Sequence, residues 1–199
     1  MGRRSSHTSA ELRQLILAAA RDIIETQGLG ALSARETARR IGYSAGTLYN
    51  IFDNLDDVRQ TLQSEMLRDL VARIAMVAKN GDAKTYVSQI LETYVNFAFA
   101  NRQLWNALFE NRAAGDGSGP RGMQDSINHV IDSLSDGLAP VLPGLPREAI
   151  EQEARILWAS VHGMTAIATN NSAHGISHEA ATRYVDKLAT TYIKGLTAT

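Results

Sequence analysis

The stretch Ala34 to Phe52, ARETARRIGYSAGTLYNIF, holds the residues whose types and spacing could do chemistry. Ser44 can start a short helix in which Leu48 and Phe52, four apart, share one face. The opposite side then presents Ala45, Gly46, Thr47, Tyr49 and Asn50. Small residues at the start of such a helix let the backbone come close to the edges of bases. Thr47 can touch a thymine methyl or donate to a base or phosphate, and the amide fork of Asn50 matches adenine. Tyr49 can donate to a phosphate. This chemistry reads a duplex and makes or breaks no covalent bond.

Positioning that helix requires a partner. Ser33-x-x-Glu36 looks like a capping box opening a preceding short helix that turns Ala38 and Ile41 inward and stops at Gly42. Two short helices joined by a glycine-containing turn are the helix-turn-helix arrangement. Upstream, Thr8-x-x-Glu11 opens a longer helix with Leu12, Leu15, Ile16, Ala19, Ala20, Ile23 and Ile24 along one face, ended by Gly28 and Gly30. Asn54 is a cap for a fourth, long helix carrying Leu55, Val58, Leu62, Met66, Leu70, Ile74 and Val77 on its buried side. Downstream the chain continues as helices separated by polar breaks, with no alternating strand pattern of useful length. The predicted fold is all-α with about nine helices. Residues 1–53 would form the helix-turn-helix domain, and residues 54–199 a second helical domain, to which the family resemblance given below assigns ligand binding and dimerisation.

The chain has 199 residues, no cysteine and a net charge of −1. Disulfides, thiol nucleophiles and cysteine-held zinc are therefore excluded. A charge near zero does not announce a nucleic-acid binder, but its distribution is uneven. Met1 to Phe52 holds seven arginines against four acids, whereas the remainder is net acidic, which suits a basic head on an acidic body. Met1 to Ser9 is polar and basic, unlike a secretory signal, and no apolar run approaches a membrane span. A cytoplasmic protein without membrane contact is expected. There is no glycine-rich phosphate loop, carboxylate–histidine metal motif or nucleophile elbow, so no catalytic residue, metal or cofactor is assigned.

Residues 9 to 58 resemble the N-terminal domain of the TetR family of transcriptional regulators. The resemblance rests on the helix Leu15 to Gly28, on Ser33-Ala34-Arg35-Glu36-Thr37-Ala38, on Ile41-Gly42-Tyr43-Ser44, and on Gly46-Thr47-Leu48-Tyr49-Asn50-Ile51-Phe52. Further on, Leu157-Trp158-Ala159-Ser160-Val161-His162-Gly163 resembles the Trp-His-Gly segment of one C-terminal subtype. The resemblance implies a homodimer joined through its last two helices. It also implies a palindromic double-stranded DNA operator, and a small-molecule effector, unidentified here, that releases the protein from it. By position, Ser44, Ala45, Gly46, Thr47, Tyr49 and Asn50 would face DNA, with Ser33 and Arg35 near the backbone. Helix four would join head to body. Two departures stand out: Leu55, among Asp53, Asp56 and Asp57, replaces the usual Lys at the start of helix four, and Thr37 replaces a β-branched aliphatic. Arg3 and Arg4 could compensate for the missing Lys through the minor groove.

Beside this reading stand plainer ones. Trp105, Phe109, Met123, Trp158 and His162 could line an effector pocket or simply form core. Gly163, mid-helix, costs about 1 kcal/mol against Ala and fits a dimer seam or a pocket wall. His174 and His178 have metal-ligand spacing but no third ligand in view. Arg39 and Arg40 read as a solvated face. The lost Lys keeps open an alternative, a helical protein-interaction module with weakened DNA binding.

Overall fold

The computed structural model describes residues 7–110, 121–170 and 175–198, with backbone only at 108–110. Arg3, Arg4 and His174 lie outside them, as does the side chain of Phe109. The described residues form nine α-helices, two short 3-10 turns and no strand. Packing divides the chain into two compact units, one comprising Met1–Glu65 with Gln103–Arg121 and the other Met66–Arg102 with Gly122–Thr199.

The first unit begins with α1, Ser9–Gln27. Its capping box is complete: the Thr8 hydroxyl accepts from the Glu11 N–H at 3.2 Å, and the Glu11 carboxylate accepts from the Thr8 N–H at 2.8 Å. Leu12, Ile16, Leu17, Ala20, Ile23 and Ile24 are buried, while Leu15 and Ala19 sit at the margin of the stripe. After a 3-10 turn at Leu29–Ala31 comes α2, Ala34–Ile41. It ends where Gly42 takes a left-handed conformation with φ 75°, a position a side chain would strain. Then follow α3, Ala45–Tyr49, and α4, Leu55–Ala75, whose first turn is capped by Asn54 through a 2.9 Å bond from the Asp57 N–H. Leu48 and Phe52 are almost fully buried; each contributes roughly 1.5–3 kcal/mol of apolar burial. The Arg13 guanidinium covers the Phe52 ring at 4.3 Å. The unit also takes in most of α6, Arg102–Glu110, where Leu104, Trp105 and Ala107 are buried. Gln63, itself fully buried, donates to the Ala107 carbonyl at 2.9 Å.

The second unit is built from the end of α4, α5 (Ala83–Ala100), α7 (Met123–Leu138), α8 (Arg147–Thr169) and α9 (His178–Thr197). α5 packs on α7, α8 and α9, and α7 packs on α8. The approach of α7 to α5 is set at Gly137, where an added Cβ would lie 2.7 Å from Val87 Cγ2 and 3.0 Å from Tyr86 Cδ1. An ionic clasp on the surface ties Lys79 to Asp136, and Arg147 to Asp132, Asp136 and Glu151. In α9 the buried face is Ala181, Val185, Ala189 and Ile193, with Tyr184 exposed.

Candidate nucleic-acid interface

The α2–turn–α3 segment is held by its own backbone. The Gly42 N–H reaches the Ala38 and Arg39 carbonyls, and the Tyr43 N–H bonds the Ala38 carbonyl at 2.9 Å. α3 is five residues long, too short to persist without tertiary packing. What fixes it is Leu48 beneath it and Phe52 just beyond, which leaves its other side open. Gly46, Tyr49 and Asn50 are exposed, Tyr49 by 52%, and Ala45 and Thr47 are half-buried. The side chains of Tyr49 and Asn50 make no hydrogen bond among the described residues. Ser33 and Arg35 are exposed at the start of α2.

Local chemistry differs from the sequence expectation at two caps. Ser33 accepts from the Glu36 N–H at 3.2 Å, but the second half of the box is not made. The Glu36 carboxylate is instead drawn to Arg39, by bonds of 2.8 and 2.7 Å, and to Arg40 at 3.2 Å. Those Arg39 bonds hold its carboxyl below the usual carboxylate range. Ser44 occupies the cap position of α3 without capping it; its hydroxyl meets the Thr47 hydroxyl at 3.0 Å. Arg40, only 20% exposed, also pairs with Asp22 on α1. Arg39 and Arg40 are therefore engaged within the chain, whereas Arg35 has no ion pair among the described residues.

Sequence reading missed His7. Its Nδ1 lies 2.6 Å from the Tyr43 hydroxyl, tying the segment before α1 to the turn before α3. The two residues are 36 positions apart, and no local pattern joins them.

Two family profiles match the chain. One, described as bacterial regulatory proteins of the tetR family, covers residues 16–60. The other, the tetracyclin repressor-like C-terminal domain, covers residues 87–192, more than half of the chain. The chain belongs to the TetR family. It is a DNA-binding, ligand-responsive transcriptional regulator that acts as a homodimer. Solved structures agree in fold. A transcriptional regulator from Rhodococcus sp. Rha1 is 24% identical, with a TM-score of 0.75 over 92% of this chain and 96% of that one. Thermus thermophilus FadR, a repressor in complex with lauroyl-CoA, is 16% identical, with a TM-score of 0.59 over 92% of each chain. BioQ, with its double-stranded DNA operator, is 18% identical, with a TM-score of 0.57 over 94% of this chain and 98% of that one.

Measured against a TetR-family head, the acidic start of α4 is milder than its composition suggests. Burial works against ionisation of Asp56, but bonds from Arg59 and Gln60 outweigh it and lower its pKa. Both Asp56 and Asp57 also suit the positive end of the α4 dipole. Thr37 is fully buried, yet its hydroxyl is satisfied by the Ser33 carbonyl at 2.8 Å.

Of the five pocket candidates, the structure brings Trp158 and His162 together. Their rings stack with centroids 5.2 Å apart. His162 Nδ1 lies 2.7 Å from the hydroxyl of Tyr94, a deeply buried α5 residue. Burial pushes the Tyr94 phenol well above its usual pKa, so it stays protonated. Among the described residues the buried Trp158 Nε1 meets no acceptor at normal hydrogen-bond geometry. Met123, half-buried, opens α7 in the same unit. Trp105 is 2% exposed in the core of the other unit.

Among the described residues no helix is long and apolar enough to cross a membrane, and no group of side chains could hold a metal ion. His178 spends its Nε2 on Asn96 at 2.7 Å and stacks on Phe99.

Proposed function

We propose that this TetR-family protein is a cytoplasmic repressor without catalytic activity. Ser33, Arg35, Ser44, Ala45, Gly46, Thr47, Tyr49 and Asn50, within a head spanning residues 1–53, contact a palindromic operator. Gly46 carries the reading. It lies in a very short helix, where glycine costs about 1 kcal/mol against alanine. Yet a Cβ there would meet only Ser44 Oγ, at an ordinary 3.7 Å. Nothing among the described residues needs the bare backbone, whereas a base edge or phosphate approaching from outside does.

The same reasoning assigns the dimer contact to α8 and α9 of the 54–199 body. Gly163 and Gly195 are exposed helical glycines with nothing within 4 Å of an added Cβ. On these two helices Ile156, Ile167 and Tyr184 are exposed by 53%, 49% and 47%. A second copy would cover those side chains and bring backbones close at the glycines. The effector is a small molecule acting at Trp158, His162 and Met123. By preferring the dimer state that misfits DNA, it weakens operator binding by its differential affinity for the two states. FadR with lauroyl-CoA and BioQ with its operator support both halves of this reading.

The test is footprinting of genomic fragments, the gene's own upstream region included, at two salt concentrations. A protected palindrome whose occupancy falls with salt is expected. Absence of specific protection at low salt would overturn the proposal and favour the interaction-module reading.

A further inference from the structure

We infer that α3 reads A·T base pairs, so that each operator half-site places adenine and thymine where the major groove meets Ala45 to Asn50. The inference rests on the DNA-binding reading above and adds the chemical identity of what is read.

The first observation is a missing donor. A guanine presents O6 and N7 as paired acceptors, and the usual reader is the fork of Arg or the ammonium of Lys. The outward residues of α3 and its cap, Ser44, Ala45, Gly46, Thr47, Tyr49 and Asn50, include neither. The cations nearest in sequence are committed elsewhere. Arg39 forms its two bonds to Glu36, and Arg40 is held by Asp22 and Glu36. Arg35, at the start of α2, is free for the phosphate backbone.

The second observation is what the surface does offer. The Asn50 amide is exposed and unbonded, and its donor and acceptor match adenine N7 and N6. The Thr47 hydroxyl is engaged by Ser44 at 3.0 Å. Its methyl branch is then the part left to meet a base, alongside the methyl of Ala45. Between them, Gly46 removes the side chain that would hold a thymine methyl away. Two methyl groups flanking a bare backbone suit the C5-methyl of thymine, which cytosine lacks.

The test is selection from a randomised duplex library with the full-length protein, followed by anisotropy titrations on the selected site. A·T pairs are expected at the contacted positions. Replacing the contacted thymines by uracil removes only the methyl and should weaken binding several-fold. Replacing the contacted adenine by 7-deazaadenine should cost about tenfold, and that loss should vanish in Asn50→Ala. Selection of G·C pairs at those positions overturns the inference and leaves DNA binding intact. An A·T preference indifferent to uracil and 7-deazaadenine overturns it too, since the protein would then be reading groove shape. Failure to enrich any sequence would sink the DNA-binding reading together with it.

Discussion

Thr37 and Gly46 are two departures from what a helix ordinarily prefers, and the structure gives them opposite meanings. The hydroxyl of Thr37 has a partner that already accepts the Thr37 N–H, the Ser33 carbonyl. Thr37→Val should therefore change unfolding free energy by less than about 1 kcal/mol in a denaturant titration. Gly46→Ala should raise stability by up to about 1 kcal/mol and weaken operator binding at the same time. A variant that gained stability and bound DNA unchanged would remove Gly46 from the interface. At this scale the sequence was legible where an interaction is local. Thr8 and Asn54 cap as their spacing predicts, because a cap bond spans only three residues. It misled where two local partners compete. Glu36 has both a backbone N–H and two arginines within reach, and the charge-assisted bonds to the arginines are the stronger.

Helices were legible as elements, their buried faces less so. The start of α8 can be read from the sequence because Pro146, with its fixed φ, occupies the cap position directly before it. On α9 the large apolar residues in the sequence include Tyr184, Val185, Leu188, Tyr192 and Leu196. Of these Val185 alone is buried, and the rest of the buried face is Ala181, Ala189 and Ile193. Small alanines bury little area each, so a pattern weighted by hydrophobic size overlooks them, yet they let helices approach closely. Tyr192 still finds a use for its polar tip, donating to the Glu153 carboxylate at 2.5 Å. Glycines divide in the same way. Gly137→Ala should destabilise the fold by about 1–3 kcal/mol, since its Cβ would collide with Val87 and Tyr86. Gly163→Ala should leave the isolated helix as stable or slightly more so, and shift sedimentation equilibrium toward monomer. Dimerisation unaffected by Gly163→Ala would move the subunit contact away from the centre of α8.

At the scale of the molecule, electrostatics decides two outcomes. Bonds from Lys79 and Arg147 hold the Asp136 carboxyl below its usual range. A depressed carboxylate stabilises the fold above the ordinary aspartate pKa, near 3.9, and loses that contribution as pH falls through the lower folded value. The clasp is partly exposed, which limits it to about 1 kcal/mol. Asp136→Asn should thus lower Tm by about 2–4 °C at neutral pH, a gap that closes in acid. On DNA, each phosphate contact adds about 0.9 to the slope of log affinity against log salt. Arg35→Ala should therefore flatten the slope by about two per dimer, one contact from each subunit. The uneven charge along the chain was visible in the sequence. The pairing that cancels Arg39 and Arg40 was only half visible: Glu36 lies within a turn, but Asp22 belongs to another helix. Likewise, α6 joins the first unit through Gln63 and a carbonyl 44 residues away, a separation over which no periodicity speaks.

Among the described residues, Leu48 and Phe52 are the fully buried side chains that root the reading helix in its core, and its outward residues support little of the rest. Descendants of this protein can therefore exchange those residues freely and still inherit an intact fold. A duplicated copy would acquire a new address on the chromosome long before its architecture diverged.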